Sequence, residues 1–261
     1  MYDEPEVRPF VDALWGGIAA ALMEEGVQGV PEGLSRDLSA EEAWKHPRLL
    51  LGQACGYPVV TSLGGAVRVV GAAVHDVPGC PPGTYASVVV VRDEAPYGAL
   101  DDLRGARCAV NHPESHSGMN ALRAVVAPLA REGRFFGEVR ASGRHRASLA
   151  MVRRGETDVA SVDCVTYAIV ARSAPADLAG LRVLCRTATA PALPFVTAAE
   201  GAETRLPTLR DALGRALSDP GLREARAALR ISGFVTRDED DYRVIADIAR
   251  RAHASGYPKL A

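Results

Sequence analysis

The fold is indicated most clearly by residues 108–123, which read CAVNHPESHSGMNALR. The apolar start predicts a buried strand, the hydroxyl-rich middle a turn, and the end an amphipathic helix. At a helix start the first backbone N–H groups lack intrahelical partners and carry partial positive charge. We therefore predict that Ser115, Ser117 and the N–H groups of Gly118 and Met119 bind one oxyanion. The alternative is that Ser117 only caps the helix.

Composition indicates an ordinary globular protein. The chain has 261 residues, of which 48% are hydrophobic and 24% charged, and this length suits one large domain or two lobes. The formal net charge is −2, with both signs interspersed. Binding to a nucleic-acid backbone requires clustered Lys and Arg, so we expect no nucleic-acid partner.

Cysteine and histidine spacing gives no metal or disulfide framework. The five cysteines are an odd number and none lies in a C-x-x-C pair. His112 and His116 are four residues apart, but Pro113 and the serines that follow disfavour a helix there, and no H-E-x-x-H pattern is present. We therefore expect no metal and no cofactor.

The N-terminal residues MYDEPE are acidic and polar, without the basic and apolar regions of a secretion signal. The apolar runs are shorter than the ~20 residues of a membrane span. We expect no membrane insertion and a cytoplasmic location for the sequence as it stands, or a periplasmic one if a signal peptide precedes it.

Apolar patterning predicts an α/β protein. Apolar spacing indicates a first helix that closes near Gly26, and buried strands are predicted at 48–53, 67–73 and 87–91. Beyond residue 100, strands at 107–110, 138–141, 159–162 and 182–185 alternate with helices, which favours a parallel sheet. After residue 197 we predict only helices, including one from Asp219 to Gly233 and a C-terminal one from Asp240 to about Ser255.

Two polar segments, around 92–94 and 187–197, are predicted crossings between lobes. They give a discontinuous outer lobe of residues 1–92 plus 187–261 and an inserted inner lobe of residues 93–186. Each lobe is predicted to be a sheet flanked by helices, with a cleft between the lobes.

Polar residues follow several predicted strands, where ligands of open α/β sheets bind. In the inserted lobe these are Ser115, His116, Ser117, His145 and Asp163. Each has a structural alternative, because His145 could be a solvated residue at a helix start and Asp163 an ordinary N-cap.

Three segments resemble the successive motifs of the PhnD-like phosphate/phosphonate substrate-binding proteins of ABC transporters. They are SHSGMNALR at 115–123, GRHRASL at 143–149 and GETDVASVD at 155–163. The resemblance extends from about residue 50 to residue 233. It implies the type II periplasmic-binding-protein fold, in which two lobes close over a ligand.

The resemblance also implies roles for individual residues. Ser115, His116 and Ser117, with Gly118, would cradle the anion, and His145 would donate to it. Near the ordinary imidazole pKa of about 6.5 a neighbouring anion favours the charged form, so we expect binding to strengthen as the pH falls. Asp163 would face the other end of the ligand, and Tyr57 and Tyr85, both in the outer lobe, would cover it. His116 stands where the family has a small hydroxyl residue, which implies a narrower or more basic pocket.

Two functional classes follow. The first is non-catalytic binding of a small phosphate- or phosphonate-like oxyanion, as the substrate-binding component of an ABC transporter or as a soluble relative. Its partners would be a small anionic ligand and an ABC permease. The alternative is a cytosolic enzyme of the same two-lobed fold that acts on a small anionic biosynthetic intermediate through His116, His145 or Asp163.

Overall fold

The computed structural model describes residues 1–261, which form two compact units. The N-terminal unit comprises Met1–Thr84 and Pro191–Tyr242, and the central unit comprises Tyr85–Ala190 and Arg243–Ala261. Each unit contains a β-sheet with α-helices packed on it, so the predicted α/β fold class is confirmed.

The N-terminal unit is built on a four-stranded antiparallel sheet. Its elements are α1 (Arg8–Glu24), α2 (Ala40–Trp44), β1 (Gly52–Gln53), α3 (Gly56–Val59), β2 (Val67–His75), β10 (Pro194–Ala198), α7 (Ala202–Ala216), α8 (Arg223–Ala228) and β11 (Ile231–Thr236). The strand order is β1-β10-β2-β11, and all neighbours are antiparallel. Helix α7 packs on β2 and β11, and α1 packs on α7. As predicted, α1 ends before Gly26, whose φ of 79° needs a residue without a side chain.

The prediction of only helices after residue 197 is wrong, because β11 pairs with β2 at the edge of this sheet. The segment 187–197, predicted as a crossing, contains most of β10, which pairs with β1 and β2 inside the sheet. The helix predicted from Asp219 to Gly233 ends at Ala228, and Arg230 has a φ of 58°, which breaks the helix. The β-branched residues beyond it then pair with β2. The strand predicted at 48–53 is reduced to Gly52–Gln53.

The central unit is built on a five-stranded mixed sheet. Its elements are β4 (Ser87–Arg92), β5 (Arg107–Val110), α4 (Ala121–Val126), β6 (Glu138–Ala141), α5 (His145–Arg153), β7 (Val159–Asp163), α6 (Cys164–Ser173), β8 (Leu181–Arg186) and α9 (Arg243–Ala254). The strand order is β6-β5-β7-β4-β8. Strands β6, β5 and β7 are parallel, as predicted, whereas β4 is antiparallel to both of its neighbours. We call residues 115–120, between β5 and α4, the serine turn.

The unit boundaries differ from the predicted lobe boundaries at 92/93 and 186/187. The chain passes between the units at 84/85 and 190/191, within the paired short strands β3 (Thr84–Tyr85) and β9 (Ala190–Pro191), and again at 242/243. Strand β4 lies inside the central sheet, between β7 and β8. Residues 92–94, which we predicted to cross between lobes, therefore form the end of β4 and a turn at the surface of the central unit. Helix α9 packs on α4 and belongs to the central unit.

Buried apolar side chains hold the central unit together. The core contains Val89 of β4, Cys108 of β5, Leu122 of α4 and Val159 of β7, all with no exposed surface. Because these residues come from both sides of the serine turn, the core fixes where the turn begins and ends. No helix of the protein has the length and apolarity needed to cross a bilayer.

Candidate functional site

The serine turn is a single π-helical turn, His116–Asn120, in which the Asn120 N–H donates to the Ser115 carbonyl at 3.0 Å. The Ser115 hydroxyl accepts from the Gly118 N–H at 3.0 Å and caps the turn. The cap is therefore Ser115 rather than Ser117, and it engages the Gly118 N–H that we expected to face an anion. Such π-turns are frequent at functional sites.

Two buried hydroxyl groups hold the serine turn against the sheet. The Ser117 carbonyl accepts from the Ser87 hydroxyl at 2.8 Å and from the Ser161 hydroxyl at 2.7 Å. Ser87 begins β4, and Ser161 lies in β7. These hydrogen bonds fix the backbone of the turn and leave the Ser117 side chain to other partners.

The Ser117 side chain meets His145, the first residue of α5. Ser117 Oγ lies 3.0 Å from His145 Nε2. His145 Nδ1 is buried and makes no hydrogen bond. Burial lowers the pKa of His145 to about 4, against a weaker opposing effect of the Ser161 backbone. The ring is therefore neutral at pH 7, in contrast to the ordinary pKa that we expected.

His116 lies on the same turn but has different neighbours. Its Nδ1 is 3.1 Å from Asn120 Nδ2, and its ring centroid is 6.0 Å from that of Tyr85. The residue is 2% exposed, and burial lowers its pKa to about 4. His116 is thus a neutral ring within the central unit, so it does not make the site more basic at pH 7.

Gly118 is required by its contact with the end of β5. A Cβ atom at this position would overlap Asn111 Oδ1. That oxygen is itself buried and makes no hydrogen bond. The strand end and the serine turn therefore approach each other more closely than any residue with a side chain would allow.

Asp163 ends β7 and caps α6. Its Oδ1 accepts from the N–H groups of Val165, at 2.7 Å, and Thr166, at 2.9 Å. It is 2% exposed and pairs in register with Ser87 across the sheet. Asp163 is therefore an N-cap, as the structural alternative predicted. Its register partner on the neighbouring strand, Ser87, supplies one of the two hydroxyls that hold the serine turn.

The two tyrosines lie in different units. Tyr85 belongs to the central unit, where it is 1% exposed and contacts His116. Tyr57 lies in α3 of the N-terminal unit, is half-buried, and its carbonyl accepts from Thr61 Oγ1 at 2.7 Å. The central unit therefore brings together Ser115, His116, Ser117, Gly118, His145 and Tyr85, with Asp163 beside them.

The sequence analysis missed several residues that organise this site. Ser87 and Ser161 interrupt the apolar runs SVVVV and VASV, and a hydroxyl inside a buried strand signals a specific partner. Asn111 and Asn120 are the only asparagines of the chain. Asn120 is the last residue of the serine turn, and Asn111 lies against Gly118 of the turn. No group of His, Cys, Asp and Glu side chains could hold a metal ion, and none of the five cysteines forms a disulfide.

Three solved structures are similar to this chain over most of its length. A binding-protein component of an ABC phosphonate transporter from Pseudomonas aeruginosa has a TM-score of 0.75 at 16% identity, over 94% of this chain and 82% of that one. XAC2383 from Xanthomonas citri, bound to chloride, has a TM-score of 0.70 at 16% identity, over 97% and 95%. PhnD1 from Prochlorococcus marinus, in complex with methylphosphonate, has a TM-score of 0.66 at 17% identity, over 78% of each chain.

A search of curated proteins found no match. The likeness to the solved structures, at such low identity, establishes the fold. A family model described as the phosphonate periplasmic substrate-binding protein of ABC transporters matches residues 42–242, more than half of the chain. The resemblance seen in the three sequence motifs is therefore confirmed, and the chain belongs to the family of phosphonate-binding ABC-transporter substrate-binding proteins.

Proposed function

We propose that the central unit binds the phosphonate-type oxyanion with Ser117, His145 and the N–H groups at the start of the serine turn. The contact of 3.0 Å between Ser117 Oγ and His145 Nε2 carries this proposal. It joins two of the three motifs at a helix start, where backbone N–H groups and the helix dipole favour an anion. In the same proposal Ser115 and Gly118 shape the turn, His116 adds a further donor to the anion, and Asp163 and Tyr85 complete the ligand environment within the central unit.

The protein is a binding protein and not the enzyme of the alternative hypothesis, because the family is non-catalytic.

The family supplies the wider setting of the proposal. Its members are the periplasmic components of ABC transporters. We propose that this chain works in the same compartment and delivers its ligand to an ABC permease. Recovery of the protein in the periplasmic fraction of its native cells would support this location, and recovery only in the cytoplasm would contradict it.

Calorimetric titration with methylphosphonate, phosphate, methylsulfonate and acetate tests the proposed site. We expect a phosphonate or phosphate to bind, and Ser117→Ala to weaken that binding by about tenfold, because a hydroxyl that contacts a charged group is lost. Ser218→Ala, an exposed position in the N-terminal unit, is the matched control and should bind as the wild type does. Equal affinities in the two variants would place Ser117 outside the site.

A further inference from the structure

Asn120 is buried completely, and each polar atom of its side chain has a partner that defines that atom's role. Oδ1 lies 3.0 Å from Nη2 of Arg123, a group that can only donate. Nδ2 lies 3.2 Å from the Ile245 carbonyl, which can only accept. A flipped amide would place donor against donor and acceptor against acceptor, so the amide orientation is fixed by chemistry.

The same Nδ2 atom lies 3.1 Å from Nδ1 of His116. Because an amide nitrogen can only donate, Nδ1 of the imidazole must accept and cannot carry a proton. The ring is neutral at pH 7, since burial lowers the pKa of His116 to about 4. The single proton of the ring is therefore on Nε2, so Nε2 acts only as a hydrogen-bond donor.

Arg123 connects this arrangement to the C-terminal segment. The residue is 7% exposed, and its guanidinium donates to the carbonyls of Pro258, at 2.6 Å, and Ala249, at 3.4 Å. With Ile245, these backbone groups come from residues 243–261, which return to the central unit after the chain has crossed the N-terminal unit. The segment thus orients Asn120 directly and through Arg123.

We propose that Asn120 is a positioning residue that fixes His116 as the neutral Nε2–H tautomer, so that the serine turn offers His116 to its ligand only as a hydrogen-bond donor. An anion needs donors, and an unprotonated Nε2 would repel it. The proposal rests on the proposed function for its benefit to binding, although the tautomer itself does not depend on any ligand.

The tautomer can be read in the ligand-free protein from imidazole nitrogen-15 shifts and couplings, with the His116 signals assigned by their absence in His116→Gln. We expect Nε2 of His116 to be protonated in the wild type at pH 7.5. Asn120→Asp keeps the shape and the Arg123 contact but offers an acceptor to Nδ1, so the proton should move to Nδ1. A wild type with protonated Nδ1, or an Asn120→Asp variant that keeps the Nε2 proton, would overturn the proposal.

Asn111→Asp is the matched control, because it adds the same charge beside the turn without contacting Nδ1 of His116; it should leave the proton on Nε2. If Asn120→Asp does not fold, Asn120→Ala serves instead. Alanine offers neither a donor nor an acceptor to Nδ1, so His116 should show both tautomers. A single Nε2–H form in Asn120→Ala would count against the proposal.

Titration with methylphosphonate then separates the two proposals. We expect Asn120→Asp to lose about tenfold or more in affinity at pH 7.5 if an N–H donor to the anion is lost. No binding by the wild type to any oxyanion would refute the proposed function and leave the tautomer result standing. Binding by the wild type with an unchanged affinity in a folded, tautomer-switched variant would refute the positioning role alone.

Discussion

At the scale of single residues, the site relies on neutral groups. His116 and His145 both have a pKa near 4 because burial disfavours their charged forms. The Ser117 hydroxyl, 3.0 Å from His145 Nε2, is uncharged as well. An anion in the proposed site would thus meet hydroxyl and N–H dipoles before it meets a formal charge, as in other preorganised anion sites.

The lowered pKa of His145 predicts how stability depends on pH. The folded-state value, about 4, is below the unfolded value of about 6.5, so between these pH values the unfolded state binds more protons. The free energy of unfolding should therefore fall as the pH decreases from about 6.5 to about 4. His145→Gln removes this group, so its stability should depend less steeply on pH over the same range.

Urea unfolding of the ligand-free protein at several pH values measures this effect. His253→Gln, at an exposed position of α9, is the control for the loss of one histidine side chain. Parallel stability–pH curves for the wild type and His145→Gln would show that His145 is protonated as easily in the folded state as in the unfolded state.

At the scale of elements, the local sequence pattern was enough to predict the bounds of a strand where a short strand has turns on both sides. Strands β5 and β6 have the predicted bounds for this reason. Strand β11 was missed because its side chains do not alternate regularly between buried and exposed positions, and its glycine suggested a helix end. Its pairing with β2, more than 150 residues away, has no local signal.

The serine turn shows the same limit within the site. Its position and its polar residues followed from the sequence, whereas its π-helical backbone did not. That backbone depends on hydroxyls from β4 and β7 and on Asn120, which contacts the distant Ile245. Local propensity does not encode such contacts, so the sequence predicted an ordinary capped helix.

Close packing of the turn predicts a specific cost at Gly118. Gly118→Ala should destabilise the protein by about 1–3 kcal/mol, because the new methyl group overlaps Asn111 Oδ1. Gly214→Ala in α7 is the control: a methyl group there would enter open space, and it should stabilise by roughly 0.5–1 kcal/mol through helix propensity. In an Asn111→Ala background the cost at Gly118 should shrink, and an undiminished cost would contradict this steric account.

At the scale of the whole molecule, the chain visits each unit twice. The central unit is completed only when residues 243–261 return to it from the N-terminal unit. We predicted the C-terminal helix itself, but we assigned it to the outer lobe because its amphipathic pattern does not specify which sheet or helix it covers. Its actual position depends on α4, which α9 contacts.

Arg123 is the polar link between α4 and that returning segment, so Arg123→Ala should have a large effect for a single residue. It removes hydrogen bonds to Pro258, Ala249 and Asn120 and leaves buried acceptors without a donor. We expect a loss of about 2–3 kcal/mol in the free energy of unfolding.

Amide hydrogen exchange in Arg123→Ala should speed up first in residues 243–261, because this segment would detach locally before the unit unfolds. Arg131→Ala, at an exposed arginine of the same unit, should change stability by less than about 0.5 kcal/mol. If exchange in Arg123→Ala increased evenly over the whole chain, the C-terminal segment would not be a separately released part of the central unit, and its tie to the serine turn would have to come from apolar packing alone.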